Sequence, residues 1–256
     1  MTRAAGIRSH RDGLAVLPAV VAVLFVLGAG LGAALLQSLG LMPLVGEPRV
    51  TAAAYLDVRP ELLRASGLSL LIASASTLVA ALVGLTTAVY LVGSHRGSRV
   101  LAAVAAASIP VPHLVGAASV GLLLADGGLV SRWLGVPSEA WPALVAGRWP
   151  AAVVLEYAWK ESAFVALVVT ATLATRAASY LETAALLGAG PWARLRHVTL
   201  PLAGPALVAA SAITFIYTLG SYEVAWLLGA AYPEPLPAMA YPVSYTHLTL
   251  PTIYSV

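Results

Sequence analysis

Apolar residues along this chain gather into five long runs that do not alternate with polar ones. The runs lie near residues 14–36, 66–92, 100–125, 150–175 and 202–229, and Ala, Leu, Val and Gly dominate them. Each is long enough to cross a hydrocarbon core of roughly 30 Å as a helix, which takes about 20 residues. A lipid-facing backbone must satisfy its own hydrogen bonds, so helices are the expected form. A transmembrane barrel would alternate apolar and polar residues over short segments, and these runs do not. Arg3, Arg8 and Arg11 precede the first run like the basic leader of a signal peptide. The apolar stretch that follows is too long for one, and no small-residue cleavage site closes it, so a retained first helix is expected.

Composition agrees with the bilayer as solvent. The chain of 256 residues is 60% hydrophobic and 10% charged, with a mean hydropathy of +0.88. So few charges cannot cover a water-exposed surface. The absence of cysteine removes disulfides, thiolate metal sites and a cysteine nucleophile. The net charge of +3 says less than the placement of the arginines. With a cytoplasmic N-terminus, the inner segments hold Arg3, Arg8, Arg11, Arg96, Arg99, Arg176, Arg194 and Arg196. The outer ones hold Arg49, Arg59, Arg64, Arg132 and Arg148, with Glu47, Asp57, Glu61, Asp126, Glu139 and Glu234. The short loop SHRGSR at 94–99 is the clearest inside signal. Trp133, Trp141 and Trp149 in the outer loop 126–149 suit an interface belt.

One internal stretch, SYLETAALLGAGPWARLRHVTLPLAGPAL at 179–207, is polar and punctuated. Ser179 and Glu182 have the spacing of a capping box, which predicts a short helix over 180–187 stopped by Gly188. Gly190-Pro191 predicts the start of a second short helix carrying Trp192, Arg194, Arg196 and His197. Pro201 and Pro205 are expected to open the next membrane helix. The orientation above makes this elbow cytoplasmic.

Glu182-Thr183-Ala184, Gly188 and Val198-Thr-Leu200-Pro201 resemble the EAA loop of the permease subunits of ABC importers. The family pattern is E-A-A, three residues, G, nine residues, I-x-L-P. Thr183 departs from the first alanine and Val198 from isoleucine. Three neighbouring segments are similar to family motifs: Gly84 to Tyr90, with Thr86 in place of a proline; Ile109-Pro110-Val111-Pro112; and Trp159-Lys160-Glu161-Ser-Ala163-Phe164, with Ala163 in place of a proline. The segment 219–229 resembles the polyamine, thiamine and ferric-iron branch, where Ala225 stands for a proline.

The resemblance implies an all-α, polytopic transmembrane bundle of the ABC-importer permease type, with about five helices present of an expected six. It divides the chain into a cytoplasmic tail (1–13), a first helix and periplasmic loop (14–60) and the permease domain (61–243). Residues 244–256 read as a non-native tail that does not continue the membrane rhythm. The resemblance further implies a multi-pass protein of the bacterial inner membrane, working with a cytoplasmic ATPase dimer, a second permease subunit and a periplasmic or lipid-anchored binding protein. The EAA loop would dock on the ATPase through Glu182, Ala184 and Gly188; Ala184 and Gly188, four apart, leave a shallow helical face.

Other function classes find little support. A P-loop needs Gly-Lys-Ser/Thr, and the lone lysine, Lys160, follows a tryptophan. ATP is therefore expected on a partner subunit, and no cofactor on this chain. His10, His95, His113, His197 and His247 are scattered without metal-ligand spacing, and nothing in the sequence points to nucleic acid. A membrane-embedded enzyme would need an intramembrane catalytic set that is not found, and a structural scaffold would need no coupling loop. Charged residues within the apolar runs are the candidates for a translocation path: Glu156, Lys160, Glu161, Glu223 and His113. With these acids, a small cation or metabolite such as a polyamine is the expected substrate. His113, after two prolines, would sit at a broken helix facing a cavity. The competing reading pairs Glu156 with Lys160 across one helical turn to fix packing, points Glu161 elsewhere, sets Glu223 among headgroups and makes His113 a hydrogen-bonded packing residue.

Overall fold

The computed structural model describes residues 5–42, 47–93 and 97–240. Part of the arginine loop at 94–99, with His95 and Arg96, falls outside the described residues, as do Arg3, His247 and the whole of 244–256. The chain separates into two units, residues 1–62 and 63–256. In the first, α1 (Ala5–Ser38) runs through Pro18 and is followed by the short α2 (Ala53–Asp57). Between them the chain doubles back, with the Arg49 amide donating to the Gly40 carbonyl and the Thr51 amide to that of Leu39.

The second unit is an all-helical bundle. It comprises most of α3 (Arg59–Val92), α4 (Ser98–Ser108), α5 (His113–Leu124), α6 (Leu129–Trp133), α7 (Ala151–Leu186), α8 (Pro191–Arg194), α9 (Leu200–Gly220) and α10 (Glu223–Leu228). Among the described residues five helical stretches are long and apolar enough to cross a membrane: 16–38, 59–92, 113–133, 151–186 and 191–220.

Burial in this unit is inverted relative to a soluble bundle. Leu78, Leu82, Leu122, Leu167, Val208 and Ile216 are exposed, while the interior is built largely from Ala73, Ala80, Ala88, Ala117, Ala152, Ala166, Ala203 and Ala210. Lipid tails are as apolar as leucine, so large side chains gain nothing by leaving them. Small residues instead let helix backbones approach. Gly84 of α3 is one such contact: a Cβ there would come within 2.6 Å of Val165 on α7.

Three expectations need correction. The third apolar run is not one helix. Pro110 and Pro112 withdraw backbone donors, and the chain breaks between Ser108 and His113. The fifth run also breaks, at Ser221-Tyr222 between α9 and α10. Nor does Ser179 start a helix. It lies inside α7, whose 36 residues continue to Leu186. The sequence Arg-Ala-Ala-Ser-Tyr-Leu-Glu contains no breaker, and extending an existing helix is easier than nucleating a new one. At about 1.5 Å per residue α7 is roughly 54 Å long, well beyond a hydrocarbon core of about 30 Å.

Trp141 also departs from a simple belt role. It is partly buried, and its indole N–H donates to the Leu124 carbonyl at the end of α5 (2.8 Å). Trp133 and Trp149 are exposed.

Candidate functional site

Two polar features interrupt the apolar bundle, both carried by α7. Near its first turns a buried cluster gathers the charged residues. At its far end the chain turns through the glycine elbow.

The cluster lies between two apolar ones. Ala152, Val153 and Tyr157 pack with Ile72, Ala117, Val120, Val224 and Leu228 on one side. Val165, Val169, Leu173 and Ala177 pack with Ala88, Ala203 and Ala210 on the other. Between them Glu156 is fully buried, and Lys160 and Glu161 nearly so. His113 opens α5 directly after Pro112, whose extended ψ of 143° redirects the chain. Its ring enters between the two acids: Nδ1 lies 3.2 Å from Glu156 Oε1 and Nε2 lies 3.3 Å from Glu161 Oε1. Thr214 of α9 donates its hydroxyl to Glu161 Oε2 (3.2 Å). Tyr217 of α9 and Tyr157 of α7 flank the imidazole, at centroid separations of 5.1 Å and 5.8 Å. Gly116, one turn into α5, leaves room for the Glu156 carboxylate, which a Cβ there would meet at 2.7 Å.

One imidazole thus bridges two buried acids through its two ring nitrogens, and Lys160 lies beside them on the same helix. Buried carboxyl groups are tolerated where they are hydrogen-bonded in this way.

The expected Glu156–Lys160 pair is not what forms. Lys160 Nζ instead donates to the backbone carbonyls of Ser108, Val111 and Ile109 in the α4–α5 break, and Glu156 turns to the histidine. Glu161 does not point elsewhere. Successive helix positions differ by about 100°, so residues five apart on α7 diverge by roughly 140°. An imidazole seated edge-on between two long side chains closes that gap. Glu223 is exposed at the first position of α10, where an acid complements the helix dipole. Thr214, Tyr217 and Gly116 carry no pattern in the sequence that links them to these acids. Among the described residues no group of three or more His, Cys, Asp or Glu could hold a metal ion.

The elbow follows from two backbone devices. Gly188 adopts φ +77°. Its amide donates to the Ala185 carbonyl and the Ala189 amide to that of Ala184, at 3.0 and 2.9 Å. This reciprocal pattern ends a helix and requires left-handed backbone, which glycine supplies without steric cost. Glu182 is exposed, Ala184 half-buried and Gly188 exposed. The Thr183 hydroxyl donates back to the Ser179 carbonyl. After Pro191 the chain is helical through to Gly220, and the expected second short helix merges with the next membrane span. Residues 195–199 form a π-helical turn containing Val198, and the Leu200 amide donates to Leu195, five residues back. Pro201 explains the slip: it has no N–H for the His197 carbonyl four residues back. Leu186, Leu187 and Trp192 project from the elbow at 89%, 83% and 69% exposure.

Comparison with known proteins decides what kind of bundle this is. Residues 80–253 match the family described as binding-protein-dependent transport system inner membrane component. The chain belongs to this family. Its members are the permease subunits of ABC importers, which are membrane transport proteins rather than enzymes.

Three curated relatives share segments of the permease. The sulfoquinovosyl glycerol transport system permease protein SmoG of Agrobacterium fabrum is 35% identical over 83 residues, 32% of this chain and 27% of its own. The putative 2-aminoethylphosphonate transport system permease protein PhnV of Salmonella paratyphi A is 41% identical over 87 residues, 34% and 28% of the two chains. The molybdenum transport system permease protein ModB of Azotobacter vinelandii is 39% identical over 54 residues, 21% and 24%. The matched segments thus span about a quarter of each relative's length. None of these three is named for a polyamine, thiamine or ferric iron. Among solved structures, a bacterial ABC transporter involved in the import of the acidic polysaccharide alginate aligns with a TM-score of 0.69 at 17% identity, covering 94% of this chain and 86% of that one. An amino acid ABC transporter with histidines aligns with a TM-score of 0.54 at 21% identity, covering 78% and 85%. These likenesses concern the fold.

Proposed function

We propose that this permease subunit forms half of a translocation path and is driven by a separate ATPase that docks on the elbow at residues 182–201. The observation that carries the reading is the exposed apolar knob at the end of α7. Leu186, Leu187 and Trp192 stand out around the Gly188 turn beside the charged Glu182 and Arg196. A knob of large apolar side chains on a polar turn outside the apolar span is suited to burial in a partner's groove. α7 then acts as a stiff lever from the elbow to the buried cluster, since about 20 residues of unbroken helix, roughly 30 Å, separate Glu161 from Glu182. The elbow faces the cytoplasm, where the ATPase pair binds ATP; a second permease completes the path; and a substrate-binding protein delivers from the far side.

Charge reversal at Glu182, or deletion of 182–188, tests the coupling. Both variants should insert in the membrane, fail to retain the ATPase and lose uptake. Uptake that survives the deletion would sink the reading.

For the substrate we put a small cation or metabolite such as a polyamine first, because the buried cluster sets two carboxyl groups beside one lysine and Glu223 is exposed. The relatives' names, which span sulfoquinovosyl glycerol, 2-aminoethylphosphonate and molybdenum, give no common chemistry to set against it. Identification of the ligand carried by the cognate binding protein decides the matter, and an anion there would overturn the cation reading.

A further inference from the structure

The break between α4 and α5 exposes carbonyls that a continuous helix would have used. With proline at 110 and 112, the carbonyls of Ala106 and Ser108 lose the donors four residues ahead. Beyond Ser108 the chain leaves the helix, and the carbonyls of Ser108, Ile109 and Val111 converge on one point. Lys160 Nζ sits there and donates to all three. An ammonium has three N–H groups, and here each meets a backbone oxygen. Among the described residues no carboxylate pairs with it: Glu156 and Glu161, its neighbours on α7, are both turned to His113.

In a bilayer interior an unsatisfied carbonyl and an unpaired ammonium are each costly. Here the two costs offset each other. Val111 lies two residues before His113. Fixing its carbonyl fixes the direction in which α5 begins, and with it the imidazole that α5 carries at its first position.

We infer that Lys160 is a positioning residue: a tethered primary ammonium seated in a three-carbonyl cradle, which by filling that cradle holds His113 between Glu156 and Glu161. The inference concerns the folded chain and does not depend on the transport reading, so either can fail without the other.

Chemical rescue tests it. Lys160→Ala removes the atoms from Cγ to Nζ, a fragment the size of n-propylammonium. The full chain is purified in detergent micelles with His10, His95, His197 and His247 replaced by Gln, so that the 15N signals of histidine report His113 alone. Lys160→Ala should shift both ring-nitrogen signals and lower the melting temperature. n-Propylammonium should restore both saturably, while tetramethylammonium, which has the charge but no N–H, should not. Unchanged His113 signals in Lys160→Ala would overturn the positioning role. Equal rescue by both cations, or by neither, would overturn the cradle. If the alanine variant does not fold, Lys160→Arg and Lys160→Met decide. Arginine keeps N–H donors and should retain the wild-type His113 signals, and methionine should lose them; matching spectra from the two variants overturn the inference.

Discussion

At the scale of single residues, His113 and Gly188 carry the most specific expectations. His113 bridges Glu156 and Glu161, so His113→Leu leaves two buried carboxyl groups facing an apolar side chain. Breaking a buried ionic group by removing one member costs about 3–5 kcal/mol. The variant should therefore lose about that much in denaturant unfolding in micelles. Adding Glu156→Gln and Glu161→Gln should recover part of the loss, since the remaining groups are then neutral. If the triple variant is as unstable as the sum of the single ones, the three residues do not act as one group. Gly188 is a different case. A Cβ there meets nothing within 4 Å, so space is not the constraint and the cost lies in the backbone. Gly188→Ala should destabilise by about 1–2 kcal/mol, the ordinary penalty for a left-handed residue with a side chain. Gly188→Asn, which tolerates that region better, should cost visibly less in the same melt. Both residues were singled out in the sequence, Gly188 as a stop by its place in a spaced pattern and His113 as a candidate after two prolines. The partners of His113 were not legible, because they are two acids 43 and 48 residues away.

At the scale of elements, the long helices were legible because length and apolarity alone dictate them in a bilayer. Their interruptions were harder to read, since apolar residues continue through Ile-Pro-Val-Pro and across Gly-Ser-Tyr while the hydrogen-bond ladder stops. The capping-box reading of Ser179 failed for a related reason. The box is a local signal, and it competes with a helix already formed upstream that meets no breaker before Gly188. The π turn at 195–199 was not legible at all, as it arises from one missing donor at Pro201. Pro201→Ala restores that donor to the His197 carbonyl. The turn should then relax to α-helix, rotating the elbow by part of a turn relative to α9. Thermal stability should stay equal or rise by up to about 1 kcal/mol, as interior proline is unfavourable in a helix. Uptake, if the elbow couples to an ATPase, should fall. Loss of stability with unchanged uptake would argue that the π turn serves packing rather than coupling.

For the whole molecule, the open question is which end of the bundle faces the cytoplasm. The loop between α5 and α7 and the elbow after α7 are separated by a single long helix, so the fold requires them on opposite sides of the membrane whatever the first unit does. The coupling proposal needs the elbow on the inside, the side that the arginines of the sequence favour. The absence of cysteine makes the assignment directly measurable. Ser138→Cys in the first loop and Ala185→Cys at the elbow both replace small, exposed residues. In intact cells, after the outer membrane is permeabilised, an impermeant maleimide should label position 138 and leave 185 unlabelled until the inner membrane is opened. Labelling of both from one side would mean that α7 does not span the bilayer, and the bundle assignment would fall with it. The reverse pattern would keep the bundle but place the elbow outside, where no ATP-driven partner could reach Leu186, Leu187 and Trp192. Topology alone can therefore refute the coupling proposal before any substrate is known.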